Sequence, residues 1–402
     1  MNSSQLLILG NGFDLHCGLA SAYEDFFRSE ILDTTTEPFG LKQLQAGVSG
    51  FWEALLLEHY KINGKCDQAW CDIEAIIRNT LLLIYFGENS GEMNIHKGLY
   101  SYATKFLNNC AAGLNLDKLC GIEKFIFEFC VKFIVTNGGK FRESLSLFTN
   151  TLLQQLNNLE RRFCKYLKSQ IIAHNNFNNL NQKYILKSVN LLAELTGFVH
   201  YKFRKINDFT TIQHKRELID VFDNLSDVYV LSFNYTSLFD ILDVEKPCKY
   251  SNVHGKLCNH FCAKDCKVSS VIFGIDDNLI QSHPINSELR VFSKTYRKMF
   301  SNEDPIKILP PKDNNQIRIK FYGHSLSEAD YSYFQSIFDY YDLYGNSNVS
   351  LTFYYSNGYE QHDAIYKLIS EYGKSLTNKE QGKNLIHKLL LENRLQIQEI
   401  KE

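Results

Sequence analysis

No stretch of this 402-residue chain approaches the ~20 consecutive apolar residues that a membrane-spanning helix needs, so no membrane span is expected. Charge of one sign is also missing. Lys and Arg number 43 and Asp and Glu 45, a net charge of −2, which gives no reason to expect strong non-specific binding to nucleic acid. No leader-like stretch opens the chain. Its eleven cysteines lack the spacing of a secreted disulfide framework, and an odd count argues for reduced thiols in the cytoplasm. Strand signal is nearly absent from Phe51 to about Asn224. There are no internal repeats, and no low-complexity tract beyond the Asn-rich stretch at 175–179.

What is present begins at the first residues. Leu6-Leu7-Ile8-Leu9 is an unbroken apolar run, the pattern of a strand covered on both faces. It breaks into Gly10-Asn11-Gly12-Phe13-Asp14, and a helix start follows at Ser21, with Glu24 completing a capping box. Strand, glycine loop and helix form the unit that holds nucleotide phosphates. The loop is neither G-x-G-x-x-G, since Leu15 stands where the third glycine would fall, nor a Walker loop, since no Gly-Lys-Ser/Thr follows. A plain strand-to-helix turn is the competing reading. If the loop does approach a phosphate, Gly12→Val is expected to abolish nucleotide binding with the fold largely intact.

Further strands are predicted at Val228–Phe233, Ser251–Val253, Val271–Phe273, Ile317–Phe321 and Val349–Phe353, with helices between them. The middle of the chain reads as helices. The clearest is Glu143–Ile172, with a stripe of Leu145, Phe148, Leu152, Leu156, Leu159, Phe163, Leu167 and Ile171 that is core and carries no chemistry. The expected architecture is α/β: a Rossmann-type parallel sheet from 1–50 and 225–402, interrupted by a helical insertion at 51–224.

Ligands of open parallel sheets bind at the carboxyl ends of the strands. Five predicted strand ends carry small or polar residues: Gly10–Asp14, Ser232-Phe233-Asn234-Tyr235-Thr236, His254-Gly255, Gly274-Ile275-Asp276-Asp277 and Gly323-His324-Ser325. Other constellations are weaker. Cys258, His260, Cys262 and Cys266 are too compressed for a usual zinc ribbon, and no metal is expected. Trp70-x-Asp72-x-Glu74 opens a helix, where Asp72 as N-cap and Glu74 in the first turn need no function.

Gly12-Phe13-Asp14-Leu15 with Gly18 and Tyr23, then Trp70-Cys71-Asp72-Ile73-Glu74, Ser232–Thr236, Val253-His254-Gly255 and Gly323-His324-Ser325-Leu326 with Asp330 resemble the bacterial AbiH family, named for abortive infection of bacteriophage. The resemblance runs nearly end to end. Ala20 departs from it, where the family usually has proline. The same motifs are more distantly similar to sirtuins and sirtuin-like NAD-cleaving defence proteins, with the same six-residue step from Gly12 to Gly18. Asp14 stands where that group has a loop serine, and Thr236 where it has an acidic residue. A carboxylate there repels a pyrophosphate unless it faces a ribose or a water.

These likenesses imply a sirtuin-like sheet and an antiphage effector that binds and hydrolyses NAD or a related nucleotide. They imply nucleotide contacts at Gly10, Asn11, Gly12, Phe13, Asp14, Tyr235, Gly323, His324, Ser325 and Asp330. Cleaving a nicotinamide–ribose bond develops positive charge on the sugar, so one group must fix the ribose or a water and another must accept a proton. Asn234 and His254 are the residue types for those two tasks. Expected partners are the nucleotide and a phage-encoded trigger, with a homo-oligomer left open. The alternative is a non-catalytic nucleotide-binding regulatory or interaction protein of phage defence.

Overall fold

The computed structural model describes residues 3–32, 50–63, 72–86, 98–108, 119, 121–137, 141–175, 181–197, 225, 227–242, 248–257, 271–276, 286–300, 308–312, 316–356 and 361–400. The candidate zinc ligands Cys258, His260, Cys262 and Cys266, together with Trp70, Cys71 and Asp277, lie outside the described residues.

The fold is α/β. Strands β1 (Ser3–Leu9), β2 (Val228–Ser232), β3 (Lys249–Asn252), β4 (Gln316–Tyr322), β5 (Val349–Tyr355) and β6 (Leu395–Glu399) form one sheet in the order β3-β2-β1-β4-β5-β6. Every neighbouring pair is parallel. The chain leaves β1 to build one side of the sheet with β2 and β3, then crosses back to build the other with β4, β5 and β6. The topological switch point therefore falls between β1 and β4.

Register sets the level at which the strands end. Leu9 pairs with Ser232 on one side and with Tyr322 on the other, and Ser232 pairs with Asn252. Gly10, Phe233, Val253 and Gly323 consequently leave the sheet in line. The apolar run of β1 alternates between two cores. Leu6 and Ile8 pack with residues of the helices Tyr331–Tyr340, Gln361–Ser375 and Lys379–Leu391, and Leu7 and Leu9 with residues of the helix Asn181–Thr196.

The chain divides into two compact units. The sheet unit comprises Met1–Ala22, Leu167–Val271 and Ser301–Glu402, and the helical unit comprises Tyr23–Tyr166 and Ile272–Phe300. The sequence expectation set its boundaries at 50/51 and 224/225. In the helical unit the stripe of the long helix Phe141–Asn175 is buried from Leu145 to Phe163, and the Trp52 indole donates to the Leu152 carbonyl at 2.9 Å. The helix Ile73–Phe86 follows Asp72, whose carboxylate accepts from the Ala75 N–H at 3.0 Å, the N-cap role its position suggested. Glu74 accepts from the buried Lys294 at 2.7 Å. No helix among the described residues is long and apolar enough to cross a membrane.

One predicted strand is corrected. Among the described residues Val271–Phe273 joins no sheet, and Ile275 makes an isolated parallel bridge to Ser293. The Phe273 N–H donates to the Glu160 carboxylate at 2.7 Å and its carbonyl accepts from Arg297 at 2.7 Å, so side chains take the bonds that a ladder would have made. Gly274-Ile275-Asp276 is therefore not a strand end of this sheet.

Candidate functional site

The turn after β1 is packed against the turn after β4, backbone on backbone. Gly10 N–H donates to Tyr322 O at 2.9 Å, Gly12 N–H to Gly323 O at 2.8 Å, and Phe13 N–H to Gly10 O at 2.9 Å. A Cβ on Gly12 would stand 2.6 Å from Gly323 Cα, and Gly323 itself holds φ +68°. Two glycines meet here because no side chain fits between the turns. The expectation that Gly12→Val would spare the fold is thereby overturned. The Asn11 amide is bound to Ser21: it accepts from the Ser21 hydroxyl at 2.6 Å and donates to the Ser21 carbonyl at 3.2 Å. A short helix, Gly12–His16, forms within what read as a loop.

The structure brings three predicted site residues together around Asp330. His254 Nε2 lies 3.0 Å from Asp330 Oδ1, and His324 Nε2 lies 3.4 Å from Oδ2. All three side chains are buried. The Leu326 N–H donates to His324 Nδ1 at 2.9 Å, which puts the ring's proton on Nε2, facing the carboxylate. Leu326 adopts φ +56° in closing that turn. Phe233 stands edge-on to both rings, with centroids 5.3 Å from His254 and 4.4 Å from His324. Tyr235 lies 6.5 Å from His254, and Ser325 is exposed.

Asp14 and Asn234 belong to a second cluster, with residues absent from the predicted set. Asp14, 2 % exposed, accepts from the Tyr184 hydroxyl at 3.0 Å and from the Thr236 hydroxyl in a short bond. Burial pushes its carboxyl up to about 6, and the two hydroxyl donors oppose the rise without cancelling it. Asn234, 4 % exposed, lines a small cavity together with Asp14, Thr236 and Tyr250, walled by apolar side chains including Leu9, Phe13 and Val230. Its backbone is fixed, since its carbonyl accepts from the Asn252 side chain at 2.7 Å. Its side-chain Oδ1 accepts no hydrogen bond among the described residues.

The predicted residues thus form two groups, not one. His254, His324 and Asp330 meet on one side of the β2 turn, and Asp14 and Asn234 on the other. Tyr184 had no sequence signal, since the stretch around it read as a further helix with no chemistry-bearing motif. Thr236 had one: it and Asp14 are the two departures from the sirtuin-like pattern, and they are hydrogen-bonded to each other.

The sheet order, the level strand ends and the buried polar clusters define a doubly wound α/β protein with a candidate site at its topological switch point. The chain belongs to the bacteriophage abortive infection AbiH family, whose model matches residues 6–355. That membership gives it a role in the abortive infection of bacteriophage. The match ends on the last residue of β5, and the helices Gln361–Ser375 and Lys379–Leu391 and strand β6 lie beyond it. No curated protein and no solved structure matches the chain.

Proposed function

We propose that this protein acts in abortive infection by binding NAD or a related nucleotide at the switch point of the sheet and hydrolysing its N-glycosidic bond. One observation carries the reading: His254, backed by the buried carboxylate of Asp330, lies two residues past the end of β3, level with Asn234, which lies two residues past the end of β2. A histidine beside a buried carboxylate can accept a hydrogen bond from a ribose hydroxyl or a proton, and the amide of Asn234 is the group to fix a water or a ribose hydroxyl. A cationic nicotinamide leaves without protonation, so the chemistry asks no more of the protein than these two tasks and shelter from bulk water.

The test is purified protein incubated with NAD, with free nicotinamide measured beside the melting temperature. Wild type releases nicotinamide. Asn234→Ala and His254→Ala each lose most of that release while staying folded, and Asn234→Ala changes stability little because its Oδ1 accepts no hydrogen bond among the described residues. A second reading is a nucleotide-binding regulator without turnover, favoured by the size of the cavity at Asp14 and Asn234, which does not admit a sugar. A folded wild type that binds NAD without releasing nicotinamide would select it.

A further inference from the structure

We infer that Asp14 is the proton acceptor for a water molecule held by Asn234, so that the attacking water is activated on the Asp14 side of the β2 turn and not by His254. The inference rests on the hydrolase reading and assigns that reaction's water.

Three observations carry it. Asn234 and Asp14 line the same cavity, and His254 is not among its lining residues. The cavity has room for about one water molecule and not for a sugar. Its polar wall asks for a donor, since Asn234 Oδ1 is buried and accepts no hydrogen bond among the described residues, and the Asp14 carboxylate accepts one bond on each oxygen with a lone pair left on each. A water donates two hydrogen bonds, one to Asn234 Oδ1 and one to Asp14. The bonds from Tyr184 and Thr236 fix the carboxylate's plane, and the apolar wall keeps bulk water out.

The step balances. As the water oxygen bonds to the anomeric carbon brought to the cavity's mouth, an O–H bond breaks and its proton passes to Asp14. The bond from that carbon to the nicotinamide nitrogen breaks, and its electron pair stays on the nitrogen. Asp14 later returns the proton to solvent. His254, with Asp330 behind it, is left to accept a hydrogen bond from a ribose hydroxyl.

The groups facing Asp14 do not confuse its titration. Cys17, on its own turn, is pushed up to about 12 by burial. Tyr184, on the helix Asn181–Thr196, and Tyr250, on β3, are raised by the same cause and stay neutral. Lys187 reaches the His16 carbonyl at 3.4 Å, His16 turns its Nδ1 to the Tyr322 hydroxyl at 2.8 Å, and Asp240 acts on Tyr250.

The test is the pH dependence of nicotinamide release, with NAD affinity measured by calorimetry on the same proteins. Thr236→Val removes a donor that favours ionised Asp14, so the acid limb of kcat/KM should move up by about one pH unit. Asp330→Asn should leave that limb where it is. Asp14→Asn should lose about 100-fold or more in kcat and keep its affinity for NAD. A limb that follows Asp330→Asn and ignores Thr236→Val, or an Asp14→Asn protein with wild-type turnover, overturns the assignment while leaving the hydrolase reading intact. Absence of release from wild type at every pH overturns both.

Discussion

Each unit buries a carboxylate, and the two are held in opposite ways. In the helical unit Glu160, 5 % exposed, accepts from both terminal nitrogens of Arg297, at 2.6 and 2.7 Å, and from the Phe273 N–H at 2.7 Å. Asn157 accepts from the same guanidinium at 2.7 Å. In the sheet unit the donors to Asp14 among the described residues are two hydroxyls. Burial raises both carboxyls, but a full positive charge opposes the rise at Glu160 and none does at Asp14. A carboxylate locked in a bidentate ion pair does structural work, here holding a segment that would otherwise read as a strand. A carboxylate buried among neutral donors costs stability above its own pKa, and such groups cluster at sites of chemistry. The difference teaches where to look for function: in the sheet unit, at the strand ends.

The comparison breaks most easily at Glu160. Glu160→Ala leaves the partly buried Arg297 charge without its carboxylate and should cost about 3 kcal/mol in urea unfolding. Replacing both partners together, Glu160→Met with Arg297→Leu, should recover most of that loss. If Glu160→Ala unfolds like wild type, its ion pair is not structural and the contrast with Asp14 disappears.

A smaller effect is expected where the turns meet. Gly12→Val drives a Cβ into Gly323 and should cost about 3 kcal/mol by overpacking, whether or not nucleotide is present. A mutant of wild-type stability that has lost NAD affinity would return the glycine to a ligand-contact role.

Much of the fold could be read from the chain because buried parallel strands are written as apolar runs. β1 and β2 are such runs, while β4, Gln-Ile-Arg-Ile-Lys-Phe-Tyr, and β5, Val-Ser-Leu-Thr-Phe-Tyr-Tyr, alternate apolar with polar residues at the strand period. β6, Leu-Gln-Ile-Gln-Glu, is a largely exposed edge strand and gave no such signal. Val271–Phe273 misled because its hydrogen bonds go to Glu160 and Arg297, partners that local sequence cannot name. At the site, reading the residues past each strand end named Asp14, Asn234, His254 and His324, and the family resemblance added Asp330, all as parts of one site. It did not reveal that these are separate groups, because side-chain placement on either side of a turn depends on packing around Phe233. Nor did it reveal that the glycines serve a close approach between turns.

Asp14 is a carboxylate kept at a cost to the fold. A folded-state value near 6 against 3.8 in the unfolded chain means that its contribution is favourable below about pH 4 and is lost as pH rises through about 6. Asparagine has no charge to bury. The decisive measurement is the urea-unfolding free energy of Asp14→Asn and wild type at pH 8 and at pH 4.5. Asp14→Asn should be more stable than wild type at pH 8 by about 2 kcal/mol, once weaker amide hydrogen bonds are set against the ~3 kcal/mol that the shift implies, with the gap closing toward pH 4.5. A mutant less stable than wild type at pH 8 would contradict this and make Asp14 a structural residue like Glu160.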